Sequence, residues 1–267
     1  MITLKLDPIK KTATLTGAIS IADVEEINQK IKELSDRITK LEVGGILQQP
    51  AGIGITPILE FLEEKPEHIK AERPSWVSET SLNKGYSLEF GTESGNYYLR
   101  VPVPDVLKNI AELTICGWIY RTSDQFGYGG NRVIDWLHNY NGVDFVLSSR
   151  GFQLGINEFP DNAPISGEGT ELNKWNFFAV TYSASEGVQY FKGTQETELS
   201  LLVSFPDYRG KLIGGGGSAS VTIGNFNPEL IESNPGVIDR SFKGLLHGLR
   251  IFNKALSLEQ IKSYQYK

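Results

Sequence analysis

The sequence predicts an all-β protein: an antiparallel two-sheet jelly-roll sandwich preceded by a β-hairpin and a short coiled-coil helix. Three observations lead there. Alternating or wholly apolar runs recur at 98–103, 113–121, 132–136, 143–147, 152–156, 175–182, 188–191, 221–223 and 245–252, with Gly, Asn and Pro between them. Runs bounded in this way read as strands. The most patterned stretch, "KWNFFAVTYSASEGVQYFKG" at 174–193, reads as two strands joined by a polar turn. Apolar side chains on both of its faces place it inside a sandwich. Helical signals, by contrast, are few and mostly N-terminal, and many strands with little helix pack as two sheets.

The elements follow in order. Ile2, Leu4 and Leu6 alternate with Thr3 and Lys5, and after "DPIKK" the run "TATLTG" alternates again. This is a hairpin whose turn begins at Asp7 and Pro8. An isolated hairpin is marginal in water, so it is expected to pair with something else. Ser20 with Asp23 three residues on marks a helix start. Within that helix Val24, Ile31 and Ile38 fall at heptad position a, and Ile27, Leu34 and Leu41 at d. Charged residues (Lys30, Lys32, Glu33, Asp36, Arg37, Lys40) lie off the seam, and Arg37 at g faces Glu42 at the next e between parallel chains. The seam is read as a self-association surface giving a homodimer or homotrimer through residues 1–43. The other reading lays this face on the chain's own domain. Residues 44–75 are rich in Gly and Pro and read as a linker, with a short helix that Thr56 and Pro57 start and Pro66 limits. Residues 76–267 form the sandwich, and Ser257 with Gln260 caps a last helix.

Composition narrows the function. The formal charge is −6 and no Lys/Arg cluster occurs, which argues against nucleic acid. Cys116, the one cysteine, sits in the apolar run "LTICGWIY" and reads as a buried thiol. No stretch suits a transmembrane span, so no membrane insertion is expected. The N-terminus lacks a basic-then-apolar export signal. The protein is therefore expected to work inside the cell or to leave by another route, such as within a virus particle.

From about Lys84 onward the chain resembles the laminin-G-like branch of the concanavalin A-like lectin/glucanase superfamily. "YSLEFGTESGNYYLRVP", "LTICGWIYRTSD", "KWNFFAVTYSASEGVQYFKG", "SVTIGNF" and "FKGLLHGLRIFNKALSLEQIKSY" look like its opening strands, buried-tryptophan strand, hairpin, Ile-Gly strand, and closing strand with helix. The resemblance implies a sandwich that either hydrolyses or binds saccharides.

Hydrolysis requires two carboxylates facing one cleft. The family's Glu-x-Asp-x-x-Glu signature is absent. The nearest approach, Glu158 with Asp161, is odd-spaced around Pro160, and Glu196 with Glu198 flanks a turn, so the chain is not expected to be an enzyme. His68, His138 and His247 make no metal-spaced pair. Relatives of the fold often hold Ca²⁺ through acids on the last strand, and here His247 and Gly248 replace them. Asp124, Asp135 and Asp144 are the remaining acids that could build a Ca²⁺ site, but the sequence supports none and no cofactor is expected. Saccharide binding needs aromatic faces and side-chain amides. The stretch 124–144 supplies both, and the candidate glycan-binding set is Tyr128, Asn131, Asn139, Tyr140, Asn141 and Asp144. Trp136 within it reads as core by parity. Phe159, Asp161 and Asn162 join the set if the loops meet.

Together these features read as an oligomeric virion structural protein, of phage tail-fibre or capsid-decoration type. It would display a lectin-like domain to host surface glycans and have other virion proteins as partners. The alternative is a non-viral oligomeric carbohydrate-binding lectin, extracellular or at the cell surface by a non-classical route. Polar replacement of Ile31 and Leu34 removes several kcal/mol of buried apolar contact summed over the protomers. Where the seam alone joins the chains, mass measurement of that variant yields monomers with the sandwich still folded.

Overall fold

The computed structural model describes residues 3–7, 12–16, 57–61, 71–72, 75–78, 80–81, 86–91, 98–124, 126, 130–158, 163–214, 220–225 and 240–266. Two compact units divide the chain, Met1–Gly54 and Ile55–Lys267. In the first unit β1 (Thr3–Asp7) and β2 (Thr12–Thr16) pair antiparallel in the register Thr3 with Thr16, which is the hairpin that the alternation predicts. The heptad positions Val24, Ile27, Ile31, Leu34, Ile38 and Leu41 lie outside the described residues.

The second unit is a sandwich of two antiparallel sheets. The strands are β3 (Leu59–Phe61), β4 (Ala71–Glu72), β5 (Ser75–Val77), β6 (Ser87–Phe90), β7 (Tyr98–Pro102), β8 (Glu112–Arg121), β9 (Asn131–Asp135) and β10 (Val143–Ser148). They continue with β11 (Gly151–Ile156), β12 (Trp175–Ser183), β13 (Gly187–Thr194), β14 (Ser200–Phe205), β15 (Ser220–Ile223) and β16 (Gly244–Phe252), before the helix α1 (Leu258–Gln265). One sheet runs β11-β10-β9-β15-β7-β4; the other runs β14-β13-β12-β8-β16-β6-β5, with β3 added on β16.

The most patterned stretch of the sequence forms the hairpin β12–β13, closing at Ser183 opposite Gly187. All of β12 is buried, as expected of a strand apolar on both faces. Phe178 on β12 meets Phe145 and Phe152 of the other sheet at ring-centroid separations of 5.5 and 5.6 Å, and this ring cluster spans the two layers. Trp136 is fully buried, as its parity predicts.

Two departures from expectation have local causes. The residues after Thr56 and Pro57 form a strand where a short helix was expected. On one side of β16, pairing with β6 covers Gly244 to Leu246, and β3 takes over at Leu249 to Ile251. Ile58 N donates to Ile251 O at 2.8 Å, so the segment satisfies β16 backbone groups that β6 does not reach, a tertiary demand that overrides the Pro-led helix signal. The second departure is β14, which the sequence pattern misses because "SLLVSF" does not alternate. On the other side of β16 a bulge opposes Gly248 and Leu249 to the single residue Gly117. Gly248 takes φ 57°, the left-handed residue of such a bulge. Glycine therefore stands for a backbone reason at one of the two positions where the resembling family carries acids.

The outer edge of β11 is closed by a single backbone bridge, Gln153 with Ile165, and by side chains. Phe152 N donates to Ser166 Oγ at 2.8 Å, Leu154 N to the Tyr190 hydroxyl at 2.9 Å, and Ile156 N to the Tyr208 hydroxyl at 2.9 Å. Alternate residues of a strand point their amides the same way, and each of these three finds a hydroxyl. Tyr190 belongs to β13 of the opposite sheet, so its hydroxyl ties the layers together and donates onward to Pro164 O at 2.9 Å. Burial pushes the Tyr190 phenol pKa well above its ordinary value, keeping the donor proton in place at any working pH. Tyr190→Phe leaves the Leu154 amide buried without an acceptor, which costs about 1–3 kcal/mol. Thermal unfolding is expected to shift down by several degrees, with no change in the far-ultraviolet spectrum.

Candidate functional site

The turn between β9 and β10 carries three of the residues that the sequence singles out. His138 and Asn141 exchange both backbone hydrogen bonds at 3.0 Å, leaving Asn139 and Tyr140 as a two-residue hairpin loop. Their φ angles are 50° and 58°. Both central residues left-handed is the signature of a type I′ turn, whose favoured sequence is Asn-Gly. The first position obeys that rule and the second does not. A bulky L-residue held left-handed costs about 1–2 kcal/mol, and strain of this kind tends to persist where it serves a site. Here it presents a tyrosine that is 66% exposed.

Asn157, at the end of β11, fixes this turn. Its Oδ1 accepts from Gly142 N at 2.9 Å and from Gly214 N at 3.0 Å, and its Nδ2 donates to Leu212 O at 2.6 Å. Its own backbone N donates to Gly142 O at 2.9 Å. One amide thus pins the Tyr140 turn to the connection that follows β14. A Cβ on Gly214 would lie 1.3 Å from Asn141 Oδ1, so only glycine admits that amide so close to the connection. Leu212, whose carbonyl Asn157 holds, is 58% exposed. The result is a rigid end of the sandwich that presents a tyrosine, an aliphatic side chain and the exposed Asn139 and Asn141.

The neighbouring Glu158 is engaged by Lys211 Nζ and by the Tyr208 hydroxyl, the latter at 2.7 Å. Lys211 Nζ also stands 4.5 Å from the Tyr208 ring centroid, a cation–π contact. Burial, then the hydrogen bond to Glu158, pushes the Tyr208 pKa far up. Of the other carboxylates raised by the sequence, Glu198 pairs with Lys262 at 3.0 Å and Glu196 is exposed in the β13–β14 turn. Asp161 lies outside the described residues, as do Tyr128, Phe159 and Asn162.

The structure divides the predicted glycan set. Asn139, Tyr140 and Asn141 stand together at the surface. Asn131 is buried in β9, and Asp144 is completely buried in β10, where Arg132 Nη2 meets its Oδ2 at 2.9 Å. The pairing of β9 with β10 skips Val133 between Phe145 and Val146. That bulge brings Arg132, three residues from Asp135, to the face that carries Asp144. Strand parity alone could not anticipate it. Asp135 pairs directly with Asp144 and accepts from Leu137 N at 2.7 Å. Buried charges need such partners, so Asn131 and Asp144 belong to the interior of the sheet and not to the exposed surface. Among the described residues no three His, Cys, Asp or Glu side chains gather as a metal site, and no helix is long and apolar enough to cross a membrane. Asn157 was missed because a lone asparagine at a strand end carries no signal of the segments it joins.

A family model, that of the concanavalin A-like lectin/glucanases superfamily, matches residues 92–262, and the chain belongs to that superfamily. No curated protein sequence matches the chain. Among solved structures, the binding domain of botulinum neurotoxin DC in complex with SialylT aligns at TM-score 0.54 and 13% identity, over 79% of this chain and 51% of that one. A structure of botulinum neurotoxin type C, whose uptake into cells is reported to depend on two ganglioside molecules, aligns at TM-score 0.51 and 17% identity, over 79% and 52%. Domain 4 of an extracellular arabinanase from Geobacillus stearothermophilus, in complex with arabinotriose, aligns at TM-score 0.49 and 14% identity, over 72% and 81%. The chain spans about half the length of the botulinum chains it matches. At these identities the likeness is one of fold.

Tyr140→Gly restores the Asn-Gly pair that a type I′ turn favours. The strain released exceeds the about 0.5–1 kcal/mol entropic cost of glycine. Melting followed by circular dichroism is expected to show Tm unchanged or raised by roughly 1–3 °C.

Proposed function

We propose that this member of the concanavalin A-like lectin/glucanases superfamily is a non-catalytic glycan-binding module whose contact surface is the Tyr140 turn. We place it on an oligomeric virion structural protein, of tail-fibre or capsid-decoration type, that touches host surface glycans. The observation that carries the binding reading is the exposed tyrosine held left-handed where glycine would be easier. An aromatic face suits the C–H face of a pyranose, and Asn139 and Asn141 on either side supply amide donors and acceptors for its hydroxyls. Asn157 holds the turn in one geometry before any ligand arrives, which lowers the ordering cost of binding. The glycans and gangliosides named for the botulinum structures support this reading by fold-level analogy alone.

Binding without hydrolysis is supported by the state of the carboxylates. Glu158 is paired with Lys211 and accepts a hydrogen bond from the Tyr208 hydroxyl, and Asp144 is paired with Arg132. Neither is poised as an acid, base or nucleophile facing a partner across an open cleft. The placement on a virion rests on the order of the segments in the sequence: a hairpin, a heptad seam, a Gly/Pro-rich joint and then a lectin-like sandwich. That arrangement suits an appendage rooted through the segments that precede the sandwich.

Adsorption to host cells or a glycan array tests the site. Tyr140→Gly, folded and at least as stable as the parent, is expected to bind roughly tenfold more weakly, the equivalent of about 1.4 kcal/mol. Undiminished binding by this variant would remove the turn from the reading. In parallel, incubation with host polysaccharide is expected to release no reducing ends above a buffer control. Release that vanishes in Glu158→Gln would make the protein a hydrolase.

A further inference from the structure

On β12 and β13 the face turned away from the core changes character along its length. Phe178, Val180 and Tyr182 point into the core, so their neighbours point outward. Those neighbours are apolar at Phe177, Ala179 and Phe191 and turn polar at Thr181, Ser183 and Gln189. Between this polar end and the connection from β16 to α1 lies a groove of about 400 Å³. Thr181, Ser183, Glu186 and Gln189 line one wall, and Ala255, Leu256, Leu258 and Gln260 line the other. Thr114, opposite Thr181 on β8, fixes the second wall. Its hydroxyl donates to Lys254 O at 2.6 Å and accepts from Leu256 N at 2.9 Å. The Ser257–Gln260 capping box sets the first turn of α1. Thr181 is treated differently. It is 4% exposed, and among the described residues nothing bonds its hydroxyl. Gln189, directly opposite, is half-buried with its side-chain amide unbonded, and Glu186 forms no ion pair among these residues. A hydroxyl as enclosed as that of Thr181 is normally hydrogen-bonded, so the groove holds unspent bonding capacity.

We infer that this groove binds a neutral saccharide unit, at a site separate from the Tyr140 turn and independent of it. The guest is a small hydroxylated molecule by elimination as well as by fit. A peptide adding a strand finds no edge here, because β12 and β13 are each paired on both sides. One carboxylate is too few for a Ca²⁺ ion, which gathers several charged and carbonyl oxygens. The same carboxylate repels an anion, and Glu259 in the first turn of α1 already answers the helix N-terminus. The groups present match a sugar. Glu186 accepts from neighbouring hydroxyls, the Gln189 amide donates and accepts, and Thr181 Oγ1 does either. Leu256, with the half-buried Ala255 and Leu258, supplies apolar contact for the C–H groups between them. The volume is at the small end of ligand sites and suits one or two sugar rings. Walls fixed in advance by Thr114 and the capping box keep the ordering cost of binding low.

Methyl NMR of the full chain, titrated with lactose, maltose and cellobiose, reads the two sites apart. Ala255, Leu256 and Leu258 report the groove, and Leu212 reports the Tyr140 turn. At least one disaccharide is expected to shift the groove methyls saturably, in the parent and equally in Tyr140→Gly. Thr181→Val removes a hydroxyl that bonds nothing in the protein, so Tm is expected to hold while that binding weakens roughly fivefold. Thr181→Val/Gln189→Leu is expected to weaken it roughly tenfold or more. No saturable shift of the groove methyls, or binding as strong in the double variant as in the parent, overturns the site. Shifts confined to Leu212 overturn the groove and leave the turn standing, whereas shifts confined to the groove do the reverse.

Discussion

The organisation of this sandwich hangs on the hydroxyls that close the edge of β11. A strand at the end of a sheet leaves every second amide without a partner, and an orphaned buried amide costs about as much as a lost hydrogen bond. Tyr190 reaches Leu154 from the opposite sheet and Tyr208 reaches Ile156 from the connection after β14. With the sheets so tied, the three consecutive residues at the end of β11 have separate tasks. Ile156 takes the Tyr208 hydroxyl, Asn157 pins the Tyr140 turn to Gly142, Leu212 and Gly214, and Glu158 anchors Tyr208 and Lys211 in return. The exposed surface at this end is therefore built outward from an edge repair.

The sequence made much of the fold readable because burial on one or both faces leaves a pattern of period two. Strand β12 and its hairpin partner β13 were legible from their side chains, and the closing helix from the serine–glutamine box, in which Ser257 accepts from Gln260 N and the Gln260 side chain reaches back to Ser257 N. What failed to show depends on backbone needs set elsewhere in the chain. Leu59–Phe61 is a strand because β16 outruns β6, a fact about residues nearly two hundred positions away. The candidate site divides in the same manner. Asn139, Tyr140 and Asn141 sit in a turn that polar and aromatic residues advertise. Asp144 and Asn131 look alike in sequence, yet a single skipped residue at Val133 puts Asp144 against Arg132 instead of solvent. Glu158 drew notice as a carboxylate near an aspartate, but its partner Lys211 lies far along the chain and no local spacing reveals it.

The Tyr140 turn also bears on how a binding surface and stability conflict. The position asks for glycine on backbone grounds, and a folded chain loses about 1–2 kcal/mol by placing tyrosine there. Native domains are only marginally stable, so a largely exposed side chain kept at such a position is a sign of a role at the surface. The same reasoning does not extend to Leu212, because its exposed side chain sits on a backbone that Asn157 needs for its own hydrogen bonds.

The proposed glycan contact depends on one segment, the connection from Pro206 to Gly214. Its first residues line the cleft at the end of β14, Tyr208 within it closes β11, and its last residues hold the Tyr140 turn through Asn157. A single aromatic platform offers modest affinity, since stacking on one ring contributes little beyond its buried area. Copies held together through residues 1–43, as proposed for the heptad seam, would present several such turns at once, so that the second contact with a dense glycan surface becomes intramolecular and avidity rises without any new contact. Weak individual sites are then sufficient, and a rigid connection between edge and turn matters more than a deep pocket. On this argument the part of the chain to watch is neither the tyrosine nor the strand but the nine residues from Pro206 to Gly214 that hold both in place.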